Sequence, residues 1–284
     1  MIDSETLIEI AGGNLRPERL VSIVIPHYRT EELVRLCLRA IRSFTDFPCE
    51  TIVVDNNSAD GSLDYLRGVR WIRLVERGDE VESASPLAHG AAMDIGAAAA
   101  RGKYLLSFHT DTIVKKPGWL EQLVCRLEAV HKGAALGCGK LETGEFYKAL
   151  KSLWDTHWMR RGLRRLFGMS ENPRYRQREF YPNSYCALYD LTVLRDLNLS
   201  FMPTEIYTAG EKLYHDLIGR GYAGVELTVK QMAEYVHHIS HATSHLAGGS
   251  HKHWRAHGKF RRALERVTGT EVAEKLLNDE SLDR

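Results

Sequence analysis

Thr51-Ile52-Val53-Val54-Asp55-Asn56-Asn57-Ser58-Ala59-Asp60-Gly61-Ser62 changes character at Asp55. Thr51, Ile52, Val53 and Val54 are all β-branched, a short run of the kind buried on both faces of a parallel sheet. From Asn56 onward the residues are small, polar or turn-forming. A buried strand that stops on a carboxylate and opens into a polar turn presents that carboxylate at the carboxyl end of a sheet, where ligands bind in open α/β folds.

The same pattern repeats on both sides of this stretch. Upstream, Val21-Ser22-Ile23-Val24-Ile25-Pro26 reads as a buried strand stopped by proline. Residues 31–44 follow with Leu33, Leu36, Cys37, Ala40, Ile41 and Phe44 on one helical face. Downstream, the patterning predicts a strand over 70–75 and an Ala- and Gly-rich helix over 86–101 that packs very close to its sheet. A fourth strand is expected over 103–108 and an amphipathic helix over 119–131. Strands alternating with helices of this length predict an α/β fold with a mostly parallel central sheet covered on both faces. The exposed strand ends are then Pro26-His27-Tyr28, Asp55-Asn56-Asn57 and His109-Thr110-Asp111.

The second half is less regular. An arginine-rich helix is expected over 148–167, a polar loop over 170–182 and a strand over 183–189. A helix over 208–222 ends at the Gly221 turn, 223–229 and 235–239 read as extended, and 252–277 as a terminal helix. No internal repeat or low-complexity linker divides the chain. It reads as one domain over 1–284, with a regular first half at 20–120, a less regular second half at 121–250 and a C-terminal helical extension at 251–284.

Composition narrows the function classes. Lys+Arg number 38 and Asp+Glu 37, a formal net charge of +1, which supplies no global field for nucleic acid. No apolar run approaches the ~20 residues needed to cross a bilayer, and residues 1–9 lack the basic start and apolar core of a signal peptide. Cys37, Cys49, Cys125, Cys138 and Cys186 are scattered without a CxxC pair, a usage that fits buried thiols in a reducing cytoplasm. A peripheral contact at the inner membrane face stays open, because Trp154, Trp158, Leu163, Leu166 and Phe167 interleave with the basic residues of 157–165. The basic stretch 252–266 reads better as a solvated face.

Neither a GxGxxG turn nor a P-loop follows the first strand, so a bound nucleotide must be held by side chains at the strand ends. The segments Ser22-Ile23-Val24-Ile25-Pro26-His27-Tyr28, Ile52 to Ser62 and Phe108-His109-Thr110-Asp111-Thr112 resemble, in order and separation, the family 2 glycosyltransferases of the GT-A fold. The resemblance is strong over about the first 120 residues. It continues weakly to about residue 240, through 183–188 and 210–222. It implies transfer of a sugar from a nucleoside-diphosphate sugar to a glycan, lipid-linked or small-molecule acceptor, with inversion. Pro26, His27 and Tyr28 would line the nucleoside pocket, Asp55 would accept a hydrogen bond from the base, and Asp94 would face the donor. Asp55 also suits an Asx-type turn cap, and Asp94 a surface carboxylate of its helix.

The triplet His109-Thr110-Asp111 stands where the family carries its DXD motif, which serves a diphosphate through a divalent cation, Mn²⁺ or Mg²⁺. Histidine replaces the first carboxylate and Asp111 keeps the last. His109 can hydrogen-bond ribose or phosphate, or ligate a softer ion. The resemblance also points to a late histidine closing the metal site, His238 in preference to His237. A helical stripe of His237, His241 and His245 would have zinc-like spacing, but Val236, Ile239 and Thr243 argue for extended structure there. For the general base that an inverting transfer needs, Glu211 is the first choice, with Asp216 and Glu205 in reserve. Two other classes compete: a nucleotide-sugar-binding protein without turnover, suggested by His109 and Lys212, and a nucleotidyltransferase, which would need a glycine-rich basic loop that 26–32 lacks.

Overall fold

The β-branched runs form strands and the amphipathic stretches between them form helices, in the order the patterning predicts. A computed structural model describes residues 19–78, 85–139, 180–239, 261–262 and 264–284. The helix expected over 148–167, the loop over 170–179, His241, His245 and the first part of 252–277 lie outside these residues.

Four parallel strands carry the first half: β1 (Val21–His27), β2 (Cys49–Asp55), β3 (Ile72–Glu76) and β4 (Tyr104–Phe108). Between them lie α1 (Glu31–Phe44), α2 (Gly61–Gly68) and α3 (Pro86–Ala99). After the short β5 (Thr112–Val114) come α4 (Trp119–Glu128), β6 (Gly133–Cys138), β7 (Cys186–Asp190), α5 (Leu191–Asp196), α6 (Glu211–Gly219), β8 (Ala223–Leu227), α7 (Val229–Tyr235), β9 (Val236–His238) and α8 (Glu271–Asn278). The seven-stranded sheet has the order β3-β2-β1-β4-β7-β6-β8. Among the described strands of this sheet, only β7 runs against its neighbours, β4 and β6. The chain reverses its winding direction between β1 and β4, and at such a switch point a crevice opens beyond the carboxyl ends of the strands.

Alternation along the strands divides the core into two layers. Ile23, Ile25 and Val53 pack with α1 and α4 on one face, while Val24, Ile52 and Val54 meet α3, α5 and α6 on the other. The close approach expected of α3 is present: a Cβ on Gly96 would lie 2.2 Å from Val24 Cγ1. Among the described residues no helix is long and apolar enough to cross a membrane.

Three expectations need correction. The turn expected over 56–62 becomes a helix at Gly61, because the Asp60 side chain accepts from the Ser62 amide and caps it. The extended reading of 223–229 ends at Leu227, where Thr228 and Gln231 form a capping box for α7. The terminal helix breaks at Gly269 and restarts as α8 under a Thr270 cap. The segment after α8 docks on α1 through the buried Arg39, whose guanidinium donates to the Leu276 and Leu277 carbonyls and to both oxygens of Asp283. Tyr65 Oη donates to the same carboxylate at 3.0 Å.

Candidate active site

At the switch point the ends of β1 and β2 are locked together. His27 Nδ1 lies 2.7 Å from Asp55 Oδ1, and both side chains are buried. Thr30 N–H donates to His27 Nε2 at 3.4 Å, which puts the ring proton on Nδ1, facing the carboxylate. Ser58 donates to the same carboxylate twice, from its hydroxyl to Oδ1 and from its amide to Oδ2 at 2.9 Å. Burial alone would raise the Asp55 pKa. The hydrogen bonds from His27 and Ser58 outweigh it and hold the carboxyl below its ordinary range. The Asx-type turn and the strand-end carboxylate are therefore one arrangement, and Asp55 is enclosed by it. Arg29, Asn57 and Ala59 beside it have φ of 49°, 57° and 47°, left-handed backbone that costs non-glycine residues energy and clusters at ligand clamps. Pro26 and Tyr28 stay half-buried at the rim.

The second cluster stands at the end of β4. His109, Thr110 and Asp111 occupy the turn between β4 and β5, closed by Thr112 N–H donating to the His109 carbonyl at 3.1 Å. The antiparallel pairing of β5 with β9 sets Thr112 opposite His238 and Ile113 opposite His237. Side chains alternate across a strand. His238 therefore comes within 3.5 Å of Asp111 Oδ1 through Nε2, while His237 turns to the other face. The stripe of His237, His241 and His245 does not form at its first member, which lies in the extended stretch Val236–His238. His109 Nδ1 is 3.8 Å from the same Asp111 oxygen. One ligand atom from each of His109, Asp111 and His238 falls within 4.8 Å of the others. Two imidazole nitrogens and a carboxylate oxygen at this separation suit a divalent cation.

The two clusters are coupled, since Thr30 Oγ1 and Thr110 Oγ1 hydrogen-bond at 3.0 Å. Residues that pattern reading did not single out complete the surroundings. Ser184 Oγ is 3.1 Å from His109 Nε2, and the Tyr185 ring stacks on His238 at 4.3 Å. Both enter because β7 is inserted beside β4. His89, in the first turn of α3, meets His109 edge-on at 5.1 Å, and its buried Nε2 has no hydrogen-bond partner among the described residues. Burial pushes the His89 pKa down to about 4. Burial, reinforced by the neighbouring His89 and opposed by Asp111, brings His109 down to about 3. Both rings are thus uncharged near neutrality. The one signal for His89 in the sequence was its place just before Gly90, in the helix that packs closest to the sheet.

Asp94, Glu211 and Asp216 are engaged with neighbouring groups of their own. Asp94 accepts from Ser200 Oγ at 2.6 Å and from Phe201 N–H at 2.8 Å, tying α3 to the loop before α6. Glu211 opens α6 and accepts from the Thr208 amide and hydroxyl at 3.0 and 2.8 Å. Lys212 pairs with Asp216 one turn along the helix, leaving Glu211 to Thr208. Glu205 is exposed in the loop.

The sequence model of the family described as Glycosyl transferase family 2 matches residues 22–197. An uncharacterized glycosyltransferase of Haemophilus influenzae is 28% identical over 118 residues, covering 42% of this chain and 36% of that protein. The mannosyltransferase PcManGT from Pyrobaculum calidifontis, solved with GDP-Man and Mn²⁺, aligns at a TM-score of 0.52 and 19% identity over 73% of this chain and 54% of its own. S. aureus TarS 1–349 in complex with UDP-GlcNAc aligns at 0.52 and 16% identity, over 90% and 70%. At these identities the structural likeness speaks to the GT-A fold. The chain spans about a third of the length of the Haemophilus relative.

Proposed function

The chain belongs to glycosyl transferase family 2, and from that premise we propose that it transfers a sugar from a nucleoside-diphosphate sugar to an acceptor hydroxyl or amine, with inversion. The observation that carries the reading is the convergence of two coupled clusters at the carboxyl ends of β1, β2 and β4: His27–Asp55–Ser58 and His109–Asp111–His238. Pro26 and Tyr28 line the nucleoside pocket. Asp55 forms the base end of the pocket with His27 and Ser58, and accepts from the base when the Ser58 amide releases Oδ2. Asp94 serves the donor site indirectly, by holding the loop against α3. A divalent cation held by Asp111 and His238 would supply charge stabilisation to the leaving diphosphate.

Glu211 is the general base of this reading. Both hydrogen bonds from Thr208 end on Oε2 and orient the carboxylate, and in this reading Oε1 takes the proton of the acceptor hydroxyl. Asp216 is the weaker alternative, because the Lys212 ammonium occupies one of its oxygens.

The test is a thermal-shift panel of nucleoside diphosphates and their sugars, with and without a divalent cation, followed by product analysis with the sugars that bind. A ligand specific to the folded state raises the transition temperature by mass action. If no nucleotide sugar does so, the reading fails. A sugar nucleotide that binds and is never hydrolysed or transferred would make the protein a binding module instead.

A further inference from the structure

The metal-ligating set is not that of a carboxylate pair. Carboxylate and water oxygens suit Mg²⁺, which demands near-octahedral oxygen ligands and gives up its waters reluctantly. Imidazole suits the later first-row ions, and two histidines with one carboxylate leave open positions on such an ion. His109, Asp111 and His238 supply this combination, with all three ligand atoms within 4.8 Å.

The set is also held in place before any ligand arrives. With His109 Nδ1 turned to the ion, 3.8 Å from Asp111 Oδ1, its Nε2–H is left to donate to Ser184 Oγ at 3.1 Å. Metal-bound histidines are usually oriented by such a second hydrogen bond. His238 is fixed by stacking on Tyr185, with Nε2 3.5 Å from the same carboxylate oxygen. Metal–ligand bonds of ~2.1 Å in tetrahedral array put ligand atoms ~3.4 Å apart. The two histidine–carboxylate separations, 3.8 and 3.5 Å, are already within a few tenths of an ångström of that, and the remaining histidine–histidine separation, within 4.8 Å, closes as the two rings turn towards the ion. The His89 ring stands 5.1 Å from His109, adding a further imidazole to the surroundings.

The geometry points to a two-histidine, one-carboxylate centre that takes a late first-row divalent ion of the Co²⁺ or Zn²⁺ kind from solution without a nucleotide, and rejects Mg²⁺. This deepens the donor-site reading above by naming the ion and by making its capture independent of the diphosphate.

The test uses the full chain, freed of metal and without nucleotide, titrated with Co²⁺ and followed by visible absorption, then challenged with Zn²⁺ and Mg²⁺. The expected result is a saturable Co²⁺ spectrum that Zn²⁺ displaces and a thousandfold excess of Mg²⁺ does not. His109→Ala should weaken the Co²⁺ component at least tenfold, and Ser184→Ala roughly tenfold, through loss of the hydrogen bond that orients the His109 ring. His109→Asp, which restores an oxygen ligand, should shift the Co²⁺-over-Mg²⁺ preference towards Mg²⁺ by at least tenfold. Circular dichroism of each variant checks that it is folded. Absence of nucleotide-free binding, easy displacement by Mg²⁺, or Co²⁺ binding unchanged in folded His109→Ala overturns the proposal. The last outcome would assign the binding to other histidines, such as His241, His245 or His251. A nucleotide-sugar thermal shift with Mg²⁺ present separates the two readings. Nucleotide binding without prior metal capture sinks only this inference, whereas metal capture without any nucleotide response sinks only the donor-site reading.

Discussion

Asp55→Asn tests how far the nucleotide end of the site is also a structural clamp. The carboxylate is almost fully buried and accepts hydrogen bonds from the His27 ring, the Ser58 hydroxyl and the Ser58 amide. Hydrogen bonds to a charged group contribute ~1.5–3 kcal/mol each, and a buried donor left unpaired costs ~1–3 kcal/mol. Asparagine keeps one acceptor oxygen but turns an NH₂ group towards one of the three donors. One bond is therefore lost outright and the others lose their charge assistance, a net cost of ~2–4 kcal/mol. At ~2–4 °C per kcal/mol for a chain of this size, the midpoint should fall by about 5–15 °C. That is survivable for a domain stable by ~5–15 kcal/mol. Urea unfolding at pH 7 reads the cost.

A second axis is pH. The folded-state pKa of Asp55 is held below its ordinary value, so its contribution is present above the unfolded pKa of ~3.9 and is lost as pH falls through the folded value. The gap between the parent and Asp55→Asn should accordingly narrow on acidification below about pH 4. Equal urea midpoints for the two proteins at pH 7 would refute the reasoning, since the clamp would then contribute nothing.

Further outcomes follow from the same geometry. Glu211→Gln should lower kcat about 10²- to 10⁴-fold with KM for the donor little changed, while Asp216→Asn stays near the parent; steady-state kinetics showing the reverse would move the base to Asp216. Asp111→Asn should weaken metal-dependent donor binding far more than metal-free nucleoside binding, and calorimetry with and without chelator decides it; equal losses would make Asp111 structural. Arg39→Ala should cost ~3–5 kcal/mol, because Asp283 and two carbonyls lose a buried charged partner. A double-mutant cycle with Asp283→Ala should be strongly non-additive. Gly96→Ala should destabilise by ~1–3 kcal/mol, since its methyl would press on Val24; an unchanged thermal midpoint would mean that α3 can lift off the sheet freely.

Local sequence determined the alternation of strands and helices and the side chains at the strand ends, because burial on a sheet and on a helix imposes different periods. The helix Glu31–Phe44 and the strands ending at His27, Asp55 and Phe108 are legible for that reason. So is the extended run Val236–His238, which makes His238 and His237 face opposite ways. β6 was not legible: Gly-Ala-Ala-Leu-Gly-Cys has little intrinsic strand preference and is a strand because β7 and β8 pair with it.

What only the tertiary structure decided are contacts between residues far apart in the chain. The antiparallel insertion of β7 brings Ser184 to His109 and Tyr185 to His238. The packing of α3 brings His89 to His109, and the meeting of two strand ends encloses Asp55, which the strand-to-turn pattern had left facing solvent. Periodicity reports which face a side chain occupies. It does not report which strand becomes the neighbour, because strand order is chosen by the packing of the whole sheet and not by any one segment.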